Sequence, residues 1–256
     1  MMQTSPRVSD DVLEMIGRLG AATAFYLLHM RGVGRKYGAG PIAMNGVASL
    51  APGRKLVGRA VTLRYLPSRE DLQSEIATST GADGMNATPR WRVIETCGPG
   101  DILVSDAMGQ GGTSTGGEIV YGRLFQRGAA GIVTDGAVRD AQATIDLGWP
   151  VYAGGRATMI GETSMLPYEY NVPVQCGGVL VRPGDVILGD DDGVVVIAAA
   201  FAEEIAQAGR DHEGIEQSIL ANMHEENDSP SRFYPFNAST MAMHSARQAK
   251  ADGAEG

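Results

Sequence analysis

The stretch from Glu118 to Asp140, EIVYGRLFQRGAAGIVTDGAVRD, confines a helical run, an RG turn, a short apolar strand and a DG turn to 23 residues. An acidic residue stands 21 positions before an Arg-Asp pair, and the turns between them allow Glu118, Arg139 and Asp140 to meet from two different elements. Two carboxylates and a guanidinium gathered in one place are able to hold a divalent metal and an α-keto acid. In an α/β fold, strand-to-helix junctions at the C-terminal strand ends are where ligands bind, and Arg139 and Asp140 follow a strand and a turn at the predicted start of a helix.

Each of these residues also has an ordinary structural reading. Thr115-Gly-Gly-Glu118 matches a capping box, in which the glutamate bonds back to the cap, and this competes with a carboxylate that orients metal-bound water. Asp140 suits a helix N-terminus on electrostatic grounds alone. Arg139 suits it less, because a cation there opposes the helix dipole; pairing with Asp135 or Asp140 is its ordinary reading, and bidentate capture of a ligand carboxylate is the functional one. The loop GQGGTSTGG (109–117) lacks the Lys-Ser/Thr of a P-loop and the spacing of a dinucleotide fingerprint. It opens onto a helix whose first amides, those of Ile119 and Val120, are available to an anion, and a plain connector is the alternative.

The remaining chemistry-bearing residues are less suggestive. GDDDGVVVI (189–197) lacks the oxygen-ligand spacing of a calcium loop and reads as a hairpin turn. His29, His212, His224 and His244 show no metal spacing, and Cys97 and Cys176 read as buried reduced thiols.

The predicted elements are a helix over 9–31, a strand over 57–66 and a helix within 68–92. A strand and glycine loop follow at 98–112, then a helix over 115–126, a strand over 131–134 and a helix over 139–147. After these come a strand at 149–153, hairpins between 172 and 197, and a helix from 201. GPGDILVSD (98–106) and RPGDVILGD (182–190) share a turn-then-strand frame. Residues 232–240, RFYPFNAST, are aromatic enough to dock, and the last ten or so are expected to fray.

With 256 residues the chain suffices for one substantial domain. A net charge of −9 without clustered Lys and Arg argues against nucleic-acid binding. No apolar run approaches the roughly 20 residues of a membrane span. The N-terminus carries acids where a signal peptide needs a basic start, so a cytoplasmic protein is expected.

Three pieces together, PGDILVSD, GGEIVYGRLFQRGAAGIVTDGAVRD and GGVLVRPGDVILGDDDGVVVI, resemble the RraA-like family. That family includes the 4-hydroxy-4-methyl-2-oxoglutarate / 4-carboxy-4-hydroxy-2-oxoadipate aldolases. VGRAVTLRYLPSREDL is similar to a longer-chain subgroup labelled ribonuclease-activity regulator. The resemblance is best over 97–208. It implies an α/β fold, a layered β/β/α single domain related to swivelling phosphohistidine domains, with a helical N-terminus and a C-terminal extension. The domain would span 1–210, and the extension 211–256 would be partly helical or disordered.

The resemblance further implies a class II type pyruvate aldolase that depends on Mg²⁺ or Mn²⁺ and also decarboxylates oxaloacetate. By resemblance, Asp140 ligates the metal and Glu118 holds it through water, at a position where the characterised aldolases carry Asp. Arg139 would clamp the keto-acid oxygen and carboxylate, with the amides of Ile119 and Val120 after Gly117 sharing that carboxylate. Family members assemble as homotrimers or homohexamers with the site between subunits. The family label also offers a different reading, a non-catalytic regulator that binds a ribonuclease.

Overall fold

The apolar run from Leu56 to Pro67 forms the longest strand, β2, and the fold is arranged around it. The computed structural model describes residues 7–36, 38–80, 84 and 87–252. Beside β2 lie the parallel strands β3 (Asp101–Asp106), β5 (Gly131–Val138) and β6 (Val151–Arg156), in the order β2-β3-β5-β6. Every residue of β3 and β5 is buried, as expected of parallel strands covered on both faces. The short strands β1 (Ala48–Ser49) and β4 (Ser114–Gly116) pair with β6 and β5. β7 (Met165–Tyr170) and the hairpin β10 (Val186–Asp190) and β11 (Gly193–Ile197) complete the sheet on the other side. Among the described residues this makes a nine-stranded sheet, with a separate two-stranded one from β8 (Val174–Cys176) and β9 (Val179–Val181).

The layers follow from what each face buries. On one face α4 (Pro89–Thr96) and α5 (Glu118–Gln126) bring Val93, Ile94, Tyr121 and Leu124 against Leu63, Leu103, Ile132 and Val151. On the other, Val174, Cys176, Val179 and Val181 pack on Ile102, Val104, Val133 and Ile187. The expected β/β/α layering is therefore present. A third apolar cluster joins β10 and β11 to α1 (Asp10–Gly17), α2 (Ala21–Gly32) and α7 (Ala202–Glu226). α7 runs unbroken through residue 210, and α8 (Ala238–Asp252) packs back on it, with Phe233 buried against Ile215 and Ile219. Among the described residues no helix is long and apolar enough to cross a membrane. Cys97 and Cys176 are buried and unpaired with each other.

Three expectations are corrected. The helix expected over 9–31 is two helices, because Leu19 turns into the core and the Asp190 carboxylate accepts from the Ala21 amide at 2.7 Å, starting α2 anew. The segment 68–92 holds α3 (Glu70–Thr80) and α4, with residues 81–83 and 85–86 between them outside the described residues. Asp135-Gly136 is not a turn that ends a strand at Thr134. β5 continues through it to Val138, with a register shift between Thr134 and Ala137. The Asp135 carboxylate accepts from the amides of Ala107 (2.6 Å), Gly109 (3.0 Å) and Gly177 (3.3 Å), tying two other segments to the irregularity. A Cβ at Gly136 would lie 2.7 Å from that of Ala107, so only glycine lets the glycine loop pass so closely.

Candidate active site

β4 lies parallel to the C-terminal end of β5, and the chain turns at Gly117 into α5. β5 ends at Val138 and delivers Arg139 and Asp140 to the start of α6 (Ala141–Asp146). The two junctions are stitched together where the Arg139 amide donates to the Gly116 carbonyl at 2.9 Å. β4 is itself anchored from beneath. The buried Tyr65 hydroxyl donates to the Thr115 carbonyl at 2.8 Å, and the Thr115 and Tyr121 hydroxyls lie 2.8 Å apart. Burial raises the Tyr65 and Tyr121 phenols above their ordinary range, so both stay neutral anchors.

Gly117 is where the site closes up. A Cβ built there would collide with Asp140 Oδ2, and would lie 3.4 Å from Arg139 Nε. The missing side chain lets the start of α5 sit directly against the Arg-Asp pair. Arg139 Nε lies 3.4 Å from Asp140 Oδ2, and both side chains are about half exposed, at 42% and 46%. Asp140 stands at the N-cap of α6 but does not cap it with its side chain. Its backbone is left-handed, with φ 49° and ψ 38°, a conformation that is uncommon outside glycine and that concentrates at functional positions. Helix α6 begins at Ala141, so Arg139 and Asp140 precede it rather than lie within a helix over 139–147.

The capping-box reading of Glu118 is overturned. Gly117 is the N-cap, Glu118 is the first residue of α5, and Thr115 lies in β4 with its hydroxyl turned to Tyr121. The exposed Glu118 side chain makes no hydrogen bond or ion pair with the described residues. Tyr121 donates the first main-chain bond of α5 to Gly117, so the amides of Glu118, Ile119 and Val120 have no intrahelical acceptor. Ile119 points its side chain outward, 78% exposed.

Two hollows flank the pair. A small cavity of about 80 Å³ is lined by Arg139, Gly116, Gly117, Val120 and Ser114, together with Arg90, Ile160, Gly161 and Glu162. An open cleft of about 540 Å³ is lined by Asp140, Val138, Gln142, Arg156 and Met159 among others. Glu118 and Ile119 line neither. The sequence reasoning passed over Arg90 and Glu162, which form an ion pair at 2.5 Å. A signal for Arg90 was present: it follows Pro89 at the N-terminus of α4, another cation set against a helix dipole. Burial acts to raise the Glu162 carboxyl, but the charges of Arg90 and Arg139 outweigh it and hold the group below the ordinary glutamate value.

Among the described residues no three or more His, Cys, Asp or Glu side chains gather to hold a metal. The donor set is nonetheless compatible with a hard cation. Mg²⁺ keeps several waters and needs only one or two carboxylates, and Asp140 offers a half-exposed carboxylate that no cap consumes.

A family model described as RraA-like, Aldolase/RraA, matches residues 6–196. A Halalkalibacterium halodurans protein named "Putative 4-hydroxy-4-methyl-2-oxoglutarate aldolase" is 34% identical over 166 residues, 63% of this chain and 78% of that protein. The crystal structure of Streptomyces coelicolor RraAS2, described as an unusual member of the RNase ES inhibitor RraA protein family, is 34% identical. It superposes with a TM-score of 0.71 over 83% of this chain and 96% of that one. An uncharacterized Pseudomonas syringae pv. tomato protein, 22% identical, shares the fold with a TM-score of 0.75 over 91% of this chain and 96% of its own.

Proposed function

Because this chain belongs to the RraA-like (Aldolase/RraA) family, we propose that it is a divalent-metal-dependent, class II type pyruvate aldolase. Its substrate would be a 4-hydroxy-2-oxo acid such as 4-hydroxy-4-methyl-2-oxoglutarate, with oxaloacetate decarboxylation as a side activity. The observation that carries this reading is the close approach of Gly117 to Arg139 and Asp140, which brings a helix start against a guanidinium on the small cavity and a carboxylate on the adjoining cleft.

Asp140 would hold Mg²⁺ or Mn²⁺ directly and Glu118 would hold it through water. Bound there, the cation supplies Lewis-acid polarisation of the keto oxygen. The chain's own groups do the rest. Arg139 presents a planar pair of donors to the keto acid's oxygen and carboxylate. The Ile119 and Val120 amides, left open at the start of α5, share that carboxylate. When the bond between C3 and C4 breaks, negative charge gathers on the pyruvate fragment, and the fixed charge of Arg139 stabilises it without reorganisation.

Exposed Ile160 on the small cavity, Met159 on the open cleft and Ile119 at the start of α5 support assembly as a homotrimer or homohexamer with the site at a subunit boundary. A cytoplasmic location is part of the same reading. The test is pyruvate release from oxaloacetate and from 4-hydroxy-4-methyl-2-oxoglutarate, with Mg²⁺ and then with EDTA, for wild type and Asp140→Ala. EDTA-sensitive turnover that Asp140→Ala abolishes is expected; EDTA-insensitive turnover would sink the metal mechanism.

The likeness to RraAS2 favours a second reading, a non-catalytic regulator that binds a ribonuclease. It predicts recovery of a ribonuclease with the tagged protein and no lyase turnover under any of these conditions.

A further inference from the structure

We propose that Arg90 is a specificity-determining residue that receives a second carboxylate of the substrate. Glu162 is then the resident counter-ion that this carboxylate displaces. The proposal rests on reading the site as a keto-acid lyase. Arg90 enters from α4, an element remote in sequence from Arg139, yet both guanidinium groups line the same small cavity, with Glu162 in its wall.

The Arg90–Glu162 pair is asymmetric. The arginine side chain is only 16% exposed, whereas that of Glu162 is 48% exposed and belongs to the 3-10 turn Gly161–Thr163 at the rim. Arg90 is held in place, its guanidinium 6.0 Å from the centre of the Tyr65 ring, which is itself fixed to Thr115. The turn is pressed against β4, since a Cβ at Gly161 would lie 2.5 Å from the Ser114 carbonyl oxygen. The member free to swing away is therefore the Glu162 side chain, and the member that stays is the cation.

A largely buried guanidinium left without an anion is strongly unfavourable, so departure of Glu162 requires a replacement. The replacement would need the same chemistry, a carboxylate. Arg90 also has an unspent donor, because its Nε is buried with no hydrogen-bond partner. A carboxylate approaching the side of the guanidinium can engage that N–H as well, as bidentate pairs do. A keto acid whose first carboxylate sits at Arg139 thus meets a second cation within the same cavity. The class so favoured is a 2-oxo acid with a second carboxylate, over its monocarboxylic analogue.

The experiment is calorimetric titration of the full chain, in Mg²⁺, with two non-cleavable probes. One is 2-oxoglutarate, which carries the distal carboxylate, and the other is 2-oxobutyrate, which does not. Wild type is expected to prefer 2-oxoglutarate by about tenfold or more, the factor typical of a hydrogen bond to a charged group. Arg90→Gln should bring the ratio of affinities close to one by weakening 2-oxoglutarate alone. Glu162→Gln should tighten 2-oxoglutarate several-fold, roughly three- to tenfold, and leave 2-oxobutyrate unchanged. Should Arg90→Gln not fold, the Glu162→Gln ratio decides the matter. Binding of both probes with no preference, or a ratio unmoved by either substitution, overturns the role of Arg90 and leaves the lyase reading intact. Failure of wild type to bind either keto acid overturns the lyase reading and the role of Arg90 with it.

Discussion

Gly117 and Asp140 are in such close contact that a methyl group on the first would collide with the carboxylate of the second. Gly117 itself has an extended backbone, φ −142° and ψ −164°, that any residue adopts, so its identity is a matter of space and not of conformation. Gly117→Ala is therefore expected to fold with a stability change within about 1 kcal/mol, since the half-exposed carboxylate can yield. The price is misplacement of Asp140 and Arg139, and displacement of reacting groups by an ångström costs about a hundredfold in turnover. Pyruvate release and a thermal melt of the same sample check this. A Gly117→Ala protein of wild-type activity would remove the geometric basis of the site.

Asp140 offers a test in which stability and activity move in opposite directions. Its left-handed backbone, φ 49°, carries strain of order 1–3 kcal/mol for a side-chain-bearing residue, less for Asp than for most. Its ion pair with Arg139 is half exposed and contributes little. Asp140→Gly relieves the strain and is expected to gain about 0.5–1 kcal/mol in urea unfolding, after allowance for glycine's unfolded-state entropy. The same variant should lose its Mg²⁺-dependent turnover. A variant that is both less stable and fully active would contradict the assignment on both counts.

How much of this was legible in the sequence depends on whether the cause was local. The PGD echo was: Asp101 accepts from the Gly98 amide at 3.1 Å and Asp185 from the Arg182 amide at 2.8 Å, the same turn before β3 and β10. The DDDG hairpin was also legible, since Asp190 pairs with Gly193 across a two-residue turn. The two junctions that carry Glu118, Arg139 and Asp140 do lie side by side, the start of α5 against the residues that follow β5. What failed was decided by distant partners. Asp135-Gly136 has the composition of a turn, but three amides from elsewhere in the chain hold it inside a strand. Thr115 has the spacing of a cap, but two tyrosines, one from β2, claim it. Arg90 comes to Arg139 only through the packing of α4, and no local pattern records that.

Glu162 gives a pH signature. Its folded carboxyl lies below the ordinary glutamate value of 4.5, because Arg90 and Arg139 outweigh the effect of burial. A depressed folded pKa means that the unfolded chain binds the proton more readily. Its stabilisation is fully present above about pH 4.5 and is lost as pH falls through the lower folded value. Denaturant midpoints of wild type should therefore fall more steeply between about pH 5 and pH 3 than those of Glu162→Gln. The side chain is half exposed, so the difference is small, and parallel pH profiles would show that the pair does not stabilise the fold.

Glu118 separates a structural from a functional carboxylate. A residue in a working capping box loses about 0.5–2 kcal/mol on truncation. Here the cap is Gly117, and the Glu118 side chain touches no described partner, so Glu118→Ala is expected to change stability by no more than about 0.5 kcal/mol. As a group that would hold metal-bound water, however, it should matter for the cation, and outer-sphere partners typically contribute 10–100-fold, roughly, to metal affinity or activity. Mg²⁺ titration by calorimetry, with Asp140→Ala as the control for loss of the direct ligand, reads this without any assay of turnover. Weakened binding with unchanged stability assigns Glu118 to the site. Unchanged binding with a loss of about 1 kcal/mol in stability would return it to the helix.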